Sequence, residues 1–453
     1  MPFIVEKKGV PQGVIESLAA GTREESLEGT LEMVPRNCHL EEYDKVKVPD
    51  FTIKGQITAY ASPDSTFAVT KELLDSATKT ILIGIYDFTA DYMADLLKDA
   101  MTRGVKVTLM LDTDHVKGED EIFESLAENG ADCVPAPSCA SKKVHYFRSS
   151  HEKVIVIDGE ICLIQSGNYS KNSIPMNVED GVDDKHFRTG NRDMGVAVHS
   201  KTLAAFLTKI LKSDMKLELD APEGLARAFA AAPPMLVEAA PSRRPAKIFP
   251  SKTFKLANPL DVQPVLSPDN YMDVVPAALR KAKSSVLIQQ QYIHSADEPV
   301  AELLQAIADA RGDNEDFDVR ILLGKLFDDK ALKKEKDNLK NIAAKYDLKI
   351  NRNIRYVDTT RFVHCHNKLI IIDGKTVFVS SQNWSRAAVL DNREAGLLFD
   401  HKGVASYFTD IFEADWEVGQ KKLPPHIKSG GATPEMLRRG GFVEVSAADY
   451  QEL

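Results

Sequence analysis

Apolar positions along the chain alternate between two periods. Spacings of three and four residues mark amphipathic helices at Phe67, Leu73, Leu74 and Ala77, and again at Met93, Leu96, Leu97 and Ala100. An apolar segment at Ile81–Ile85 and another segment at Val105–Leu111 follow these helices and predict strands. The same order then returns later in the chain. Val275, Ala278, Leu279 and Ala282 predict a helix, Val286–Ile288 a strand, Val300, Leu303, Leu304 and Ile307 a second helix, and Val319–Leu323 a second strand. Arg103-Gly104 and Arg311-Gly312 end the matching helices, because glycine past a helix end relieves the backbone there. Ser62-Pro63-Asp64 opens the first block and Ser267-Pro268-Asp269 the second. Each block closes on a helix, Leu203/Phe206/Leu207/Ile210/Leu211 and Val404/Tyr407/Phe408/Ile411/Phe412. The chain therefore reads as a domain-sized repeat of alternating strands and helices.

The expected architecture is α/β: two similar α/β/α halves, each a mixed sheet flanked by helices, at residues 51–215 and 251–420. Residues 216–250, rich in Ala and Pro, read as an exposed linker. Residues 1–50 form an N-terminal extension and 421–453 a C-terminal tail; neither takes a role from the sequence. A chain of 453 residues with 43% hydrophobic and 27% charged residues can bury a core in each half.

The repeat carries its polar residues at matched places. One half reads His151-Glu-Lys153-Val-Ile-Val-Ile-Asp158-Gly159, then Gln165-Ser166-Gly167-Asn168. The other reads His366-Asn-Lys368-Leu-Ile-Ile-Ile-Asp373-Gly374, then Ser380-Ser381-Gln382-Asn383. Further on come Asn191-Arg192-Asp193 and Asn392-Arg393-Glu394. In extended backbone, residues two apart share a face, so each His stands beside its Lys. The four apolar residues that follow fit a parallel-type buried strand, and Asp-Gly turns the chain back toward the asparagine. Each half thus brings one His, one Lys and one Asn to one sheet edge.

Those residue types suit phosphodiester chemistry. Lys153 and Lys368 neutralise non-bridging oxygens, and Asn168 and Asn383 donate hydrogen bonds to them, with Ser166 and Ser381 in support as substrate-binding residues. An imidazole serves as nucleophile or as acid/base near neutral pH, so His151 and His366 are the catalytic pair. Asp193 and Glu394 are the candidates to hold a second imidazole nitrogen. Asp158 and Asp373 are expected to hold their turns. His364 shares a face with His366 and reads as structural; Cys365 points the other way, into the core. No Asp/His cluster has metal-ligand spacing, so neither metal nor cofactor is expected.

The doubled H-x-K-x4-D motif with its downstream Ser-x-Asn resembles the phospholipase D superfamily over residues 51 to 420. The resemblance implies a bilobal fold with one active site on a pseudo-two-fold axis. It implies a phosphohistidine intermediate with His151 as nucleophile and His366 as acid/base. It also places Asp193 and Glu394 near the histidines. Because both motifs keep their Asp, the tyrosyl-DNA phosphodiesterase branch is a poor match. Both half-sites lie in one chain, so a monomer suffices.

Charge narrows the substrate. The net charge is −10 and the pI about 5.7, where a polyanion-binding enzyme would show a basic surface. Hydrolysis of a phospholipid head group, with transfer to an alcohol as a variant, is the leading expectation. The partner is then a phospholipid or other phosphodiester, reached by peripheral membrane contact. A metal-independent nuclease and a phosphatidyltransferase of cardiolipin-synthase type are the alternatives, and a lipid-binding scaffold without activity is a third. The first half carries an insertion at Lys171–Thr189 with Glu179, Asp180, Asp183 and Asp184, which reads as a surface loop or a lid. Five cysteines lack zinc or C-x-x-C spacing and predict reduced thiols. No apolar stretch follows Met1–Lys8 and none reaches about 18 residues, so a cytoplasmic protein is expected, with leaderless secretion reading the same.

Overall fold

The computed structural model describes residues 38–113, 118–176, 190–222, 235–238, 248–324, 329–358, 362–419 and 442–445. The first block contains β1 (Phe51–Ile53), β2 (Gln56–Ser62), α1 (Thr66–Ser76), β3 (Thr80–Ile85), α2 (Asp91–Thr102), β4 (Lys106–Leu111), α3 (Glu119–Glu128), β5 (Asp132–Pro135), β6 (Val154–Ile157), β7 (Ile161–Gln165), β8 (Asp193–His199) and α4 (Lys201–Leu219). After β9 (Met235–Glu238), the second block repeats the plan. It contains β10 (Lys252–Lys255), β11 (Leu260–Ser267), α5 (Tyr271–Arg280), β12 (Ser285–Gln290), α6 (Glu298–Arg311), β13 (Asp318–Leu323), α7 (Asp329–Lys345), β14 (Ile354–Tyr356), β15 (Leu369–Ile372), β16 (Thr376–Ser380), β17 (Glu394–Asp400) and α8 (Lys402–Val418), with β18 (Phe442–Val445) after it.

Two eight-stranded mixed sheets result, in the orders β10-β2-β8-β7-β6-β3-β4-β5 and β1-β11-β17-β16-β15-β12-β13-β14. The halves exchange their first strands. β1 pairs with β11 of the second sheet, and β10 pairs with β2 of the first, both antiparallel. Sequence pattern cannot show this, because a three- or four-residue strand pairs equally well with either edge. A separate two-stranded sheet joins β9 to β18, so part of the C-terminal tail pairs with part of the linker segment. Of the proposed insertion at Lys171–Thr189, residues 171–176 are described, and the part carrying Glu179, Asp180, Asp183 and Asp184 lies outside the described residues.

Strand alternation sorts side chains into layers. Val154 and Val156 of β6, and Leu369 and Ile371 of β15, enter one core shared by both halves with α4 and α8. Ile155 and Ile157 face the outer helices of the first half, and Ile370 and Ile372 those of the second. The predicted stripes Met93/Leu96/Leu97/Ala100 and Val300/Leu303/Leu304/Ile307 are buried on those outer helices. One expectation changes. β6 and β15 are antiparallel to both neighbours, not parallel. An unbroken apolar run reports burial on both faces and carries no information on direction.

The motif aspartates sit at the far end of these strands. Asp158 and Asp373 have positive φ, 52° each, and glycine follows at φ 66° and 60°, where a Cβ would be strained. The Asp158 carboxylate accepts from the backbone N–H groups of Thr78, Lys79 and Thr80. Asp373 accepts from those of Lys283, Ser284 and Ser285. Each aspartate thereby ties the start of β3 or β12 to its own turn. Burial alone would raise these carboxyls, but the N–H donors outweigh it and hold both below the ordinary range.

Two of the five cysteines are not free: Cys38 and Cys139 form a disulfide across a sequence separation of 101. The expectation of reduced thiols fails for this pair, whose proximity arises only when residues 38–50 fold back over the first half. Glu41 N–H donates to His145 O at 2.7 Å in the same region. Cys133, Cys162 and Cys365 are free.

Candidate active site

His151 and Lys153 lie just before β6, and His366 and Lys368 just before β15, outside the sheet ladders. There each segment pairs with the other half. His151 N–H donates to Arg393 O (2.7 Å) and Arg393 N–H to Ser149 O (2.9 Å); His366 N–H donates to Arg192 O (3.0 Å) and Arg192 N–H to His364 O (2.8 Å). The two Asn-Arg-acid tripeptides therefore run beside the opposite motif.

This crossing decides which acid serves which histidine. His151 Nδ1 is 2.8 and 2.9 Å from the Glu394 carboxylate oxygens. His366 Nδ1 is 3.0 Å from Asp193 Oδ1. Each acid follows its own motif in sequence, yet each grips the histidine of the other half. The two rings lie edge to face, with centroids 6.4 Å apart and planes inclined at 67°. His151, Lys153, Asn168, His366, Lys368 and Asn383 are all buried. Lys153 Nζ donates to His151 O at 2.6 Å, and Lys368 Nζ donates to His366 O. Ser166 Oγ is 2.8 Å from Asp193 Oδ1, and Ser381 Oγ is 2.5 Å from Glu394 Oε2. The structure thus turns both serines to the acids that orient the rings. His364 is buried, and Cys365 packs with Val357 and Phe362.

Electrostatics make the two dyads unequal. Burial, then Lys368, lowers His366 to about 4, so its ring is neutral near pH 7. Burial would raise Asp193, but His366 and then Lys368 outweigh it and hold it low, as a carboxylate. The proton then resides on Nδ1, and Nε2 is buried without a partner among the described residues, its lone pair exposed to an electrophile. Burial instead raises Glu394 to about 8, so it holds a proton more readily than Asp193 does. Burial, partly offset by Glu394, also lowers Lys153 to about 7.

Arg192 and Arg393 stand in the two Asn-Arg-acid tripeptides, where the sequence assigns them no task. Each is a buried bolt between the halves. Arg192 donates to Asp415 on α8 (2.8 and 3.0 Å), to Asp64 (2.5 Å) and to Ser62 O (2.9 Å). Arg393 mirrors it on α4, with Asp214 at 2.8 and 3.0 Å, Asp269 at 2.5 Å and Ser267 O at 3.1 Å. It also donates to Tyr43 Oη, which lies in the N-terminal extension. The repeated Ser-Pro-Asp and Asn-Arg-acid strings were the available signal. Tyr86, whose equivalent in the second half is Gln291, sets its ring centroid 4.7 Å from that of His151 and 5.2 Å from Lys153 Nζ.

Fold and family together define a protein of the phospholipase D-like class. The chain belongs to the family described as cardiolipin synthase, PLD-like domain, whose model matches residues 70–215 and 275–416. It is 29% identical to mitochondrial cardiolipin hydrolase of Homo sapiens over 82 residues, which are 17% of this chain and 32% of that protein. The match thus spans about a third of that relative's length. Its fold is similar to that of phosphatidylserine synthase from Haemophilus influenzae, with a TM-score of 0.58 and 14% identity over 86% of this chain and 93% of that one. Among the described residues, no helix is long and apolar enough to cross a membrane.

Proposed function

We propose that this chain is a phospholipase D-type phosphodiesterase that cleaves phospholipid head groups through a phosphohistidine. The observation that carries the reading is the adjacent pair of buried imidazoles, each with Nδ1 held by a carboxylate of the opposite half. One Nε2 attacks phosphorus, forming a P–N bond as the P–O bond to the leaving alcohol breaks. The other ring gives its proton to that oxygen. It then takes a proton from water, whose oxygen displaces the histidine and releases phosphatidic acid. Lys153, Lys368, Asn168 and Asn383 stabilise the five-coordinate transition state. An alcohol in place of water gives transfer instead of hydrolysis by the same two steps.

The family resemblance makes His151 the nucleophile and His366 the acid/base. The neutral His366 with its buried Nε2 lone pair favours the reverse order. Brief reaction with labelled phospholipid and acid-free isolation of the labelled peptide decides between them.

The reading is tested with vesicles. Head-group release is expected in EDTA, and is expected to fall at least ~10³-fold in His151→Ala and in His366→Ala. Cleavage of oligonucleotides with no lipid turnover sinks the lipid reading in favour of the nuclease.

A further inference from the structure

The residue between His and Lys differs in the two motifs, and so does everything behind it. In the second half, Asn367 is fully buried and faces the inter-half core. Its Oδ1 accepts from Lys368 N–H at 3.0 Å and lies 3.2 Å from Ser166 Oγ. Its Nδ2 donates to Gln289 Oε1 at 2.6 Å. Gln289 Nε2 donates to Asp415 Oδ2 at 3.1 Å, the carboxylate that holds Arg192. Ser166 in turn touches Asp193, the partner of His366. The contacts Arg192–Asp415–Gln289–Asn367–Ser166–Asp193 join the bolt between the halves to one dyad, with the single Ser166 hydroxyl proton shared between Asp193 Oδ1 (2.8 Å) and Asn367 Oδ1 (3.2 Å).

The first half supplies an internal control. Strand register sets Gly84 opposite Val154 and Gln289 opposite Leu369, so Gly84 and Gln289 are equivalent, as are Glu152 and Asn367. Gly84 offers no side chain, and a Cβ there would lie 2.5 Å from Leu211 Cδ2 and 2.8 Å from Glu152 Oε1. Both Glu152 oxygens are buried with no hydrogen-bond partner among the described residues. Here the series of contacts is broken. Yet Arg393 meets Asp214 at 2.8 and 3.0 Å, the same distances as Arg192 to Asp415. The bolt therefore forms without a glutamine behind it, so Gln289 is not needed to close the interface. What Gln289 adds is a fixed amide for Asn367.

We propose that Asn367 and Gln289 are positioning residues for His366: they hold Ser166 and the Asp193 carboxylate in the orientation that keeps the His366 proton on Nδ1. Glu152 and Gly84 supply no equivalent chain of contacts in the first motif, where the Glu394 carboxylate that holds His151 is fixed instead by Ser381 Oγ and by Asn392 Nδ2 at 3.1 Å, so the two dyads are held by different means. A buried amide pair fully engaged on both ends specifies one geometry, whereas a buried acid without donors specifies none. Burial, then Asp214, raises Glu152 to about 8, consistent with a neutral acid that carries no directional bond.

The proposal rests on the phosphodiesterase reading for its rate measurements but not for its spectroscopy. The full chain is used, with bis-p-nitrophenyl phosphate as substrate and proton NMR of the imidazole N–H region. Asn367→Ala and Gln289→Leu are each expected to lower kcat ten- to a hundredfold with KM within threefold, and to remove the downfield Nδ1 proton signal of His366. Glu152→Gln, at the equivalent position, is expected to keep kcat within about twofold. Wild-type rate and an unchanged His366 signal in Gln289→Leu overturn the proposal, and that variant decides alone where Asn367→Ala does not fold. A wild-type chain that cleaves no phosphodiester defeats the functional reading, while loss of the His366 proton in the variants still upholds the positioning role.

Discussion

At the scale of single residues, the two dyads differ in who holds the proton. Asp193 is a carboxylate held low, and it orients a neutral His366. Replacing it by Asn removes the charge and admits the wrong tautomer, so Asp193→Asn is expected to cost about 10³-fold or more in kcat. Glu394 is pushed up to about 8 by burial, and a neutral amide is closer to its resting state. Glu394→Gln is expected to cost only about tenfold, measured on the same substrate. Lys153 yields a pH prediction. Its pKa falls from 10.5 to about 7 on burial, so the free enzyme loses this cation as pH rises past that value. The profile of kcat/KM is expected to fall on the alkaline side near pH 7. An anionic substrate favours the charged lysine, so the matching limb of kcat is expected at higher pH. Coincident limbs would argue against this assignment. The sign for stability is opposite. A lysine whose folded value lies below its unfolded one opposes folding at low pH, and that penalty is relieved between about pH 7 and 10.5.

At the scale of elements, the conserved geometry of the two turns explains why an Asp-Gly pair ends each motif strand. Asp158 is a left-handed residue whose carboxylate gathers three backbone N–H groups. Asp158→Ala removes the acceptor and strains the turn, and is expected to lower unfolding free energy by about 1–3 kcal/mol, toward the lower end because the turn meets solvent. Denaturant unfolding measures this, and activity at low denaturant should stay within a few-fold of wild type. Because both turn carboxyls are held below the ordinary range, their contribution is present at neutral pH and is lost as pH falls through the lowered values. The exchanged strands β1 and β10 act at this scale too. Each covers an edge of the opposite sheet, so neither half closes its own sheet.

At the scale of the whole molecule, both histidine–acid pairs of the site cross the interface. The acid for His151 comes from the second half, the acid for His366 from the first, and two buried arginines bolt the halves together. A fragment of residues 51–215 alone is therefore expected to have no measurable phosphodiesterase activity. Arg192→Met in the full chain leaves Asp64 and Asp415 buried without their counter-ion. It is expected to destabilise by about 3–5 kcal/mol, read as a lowered melting temperature. Unchanged stability would mean that the interface holds by its apolar core alone.

The sequence by itself determined the repeat and the α/β class, and it marked six polar residues as candidates for the half-sites. It did so because strand and helix periods, glycine stops and paired motifs are local properties of a chain. It marked Asp193 and Glu394 but not their partners, and it left Arg192 and Arg393 without a task. Those assignments depend on which strand edges meet, and short strands such as β1 and β10 carry too few residues to specify a partner. The Cys38–Cys139 bond was hidden for the same reason. Only the tertiary structure decided that each half completes the other, since burial and charge pairing are set by residues far apart in sequence and brought together by a shared core.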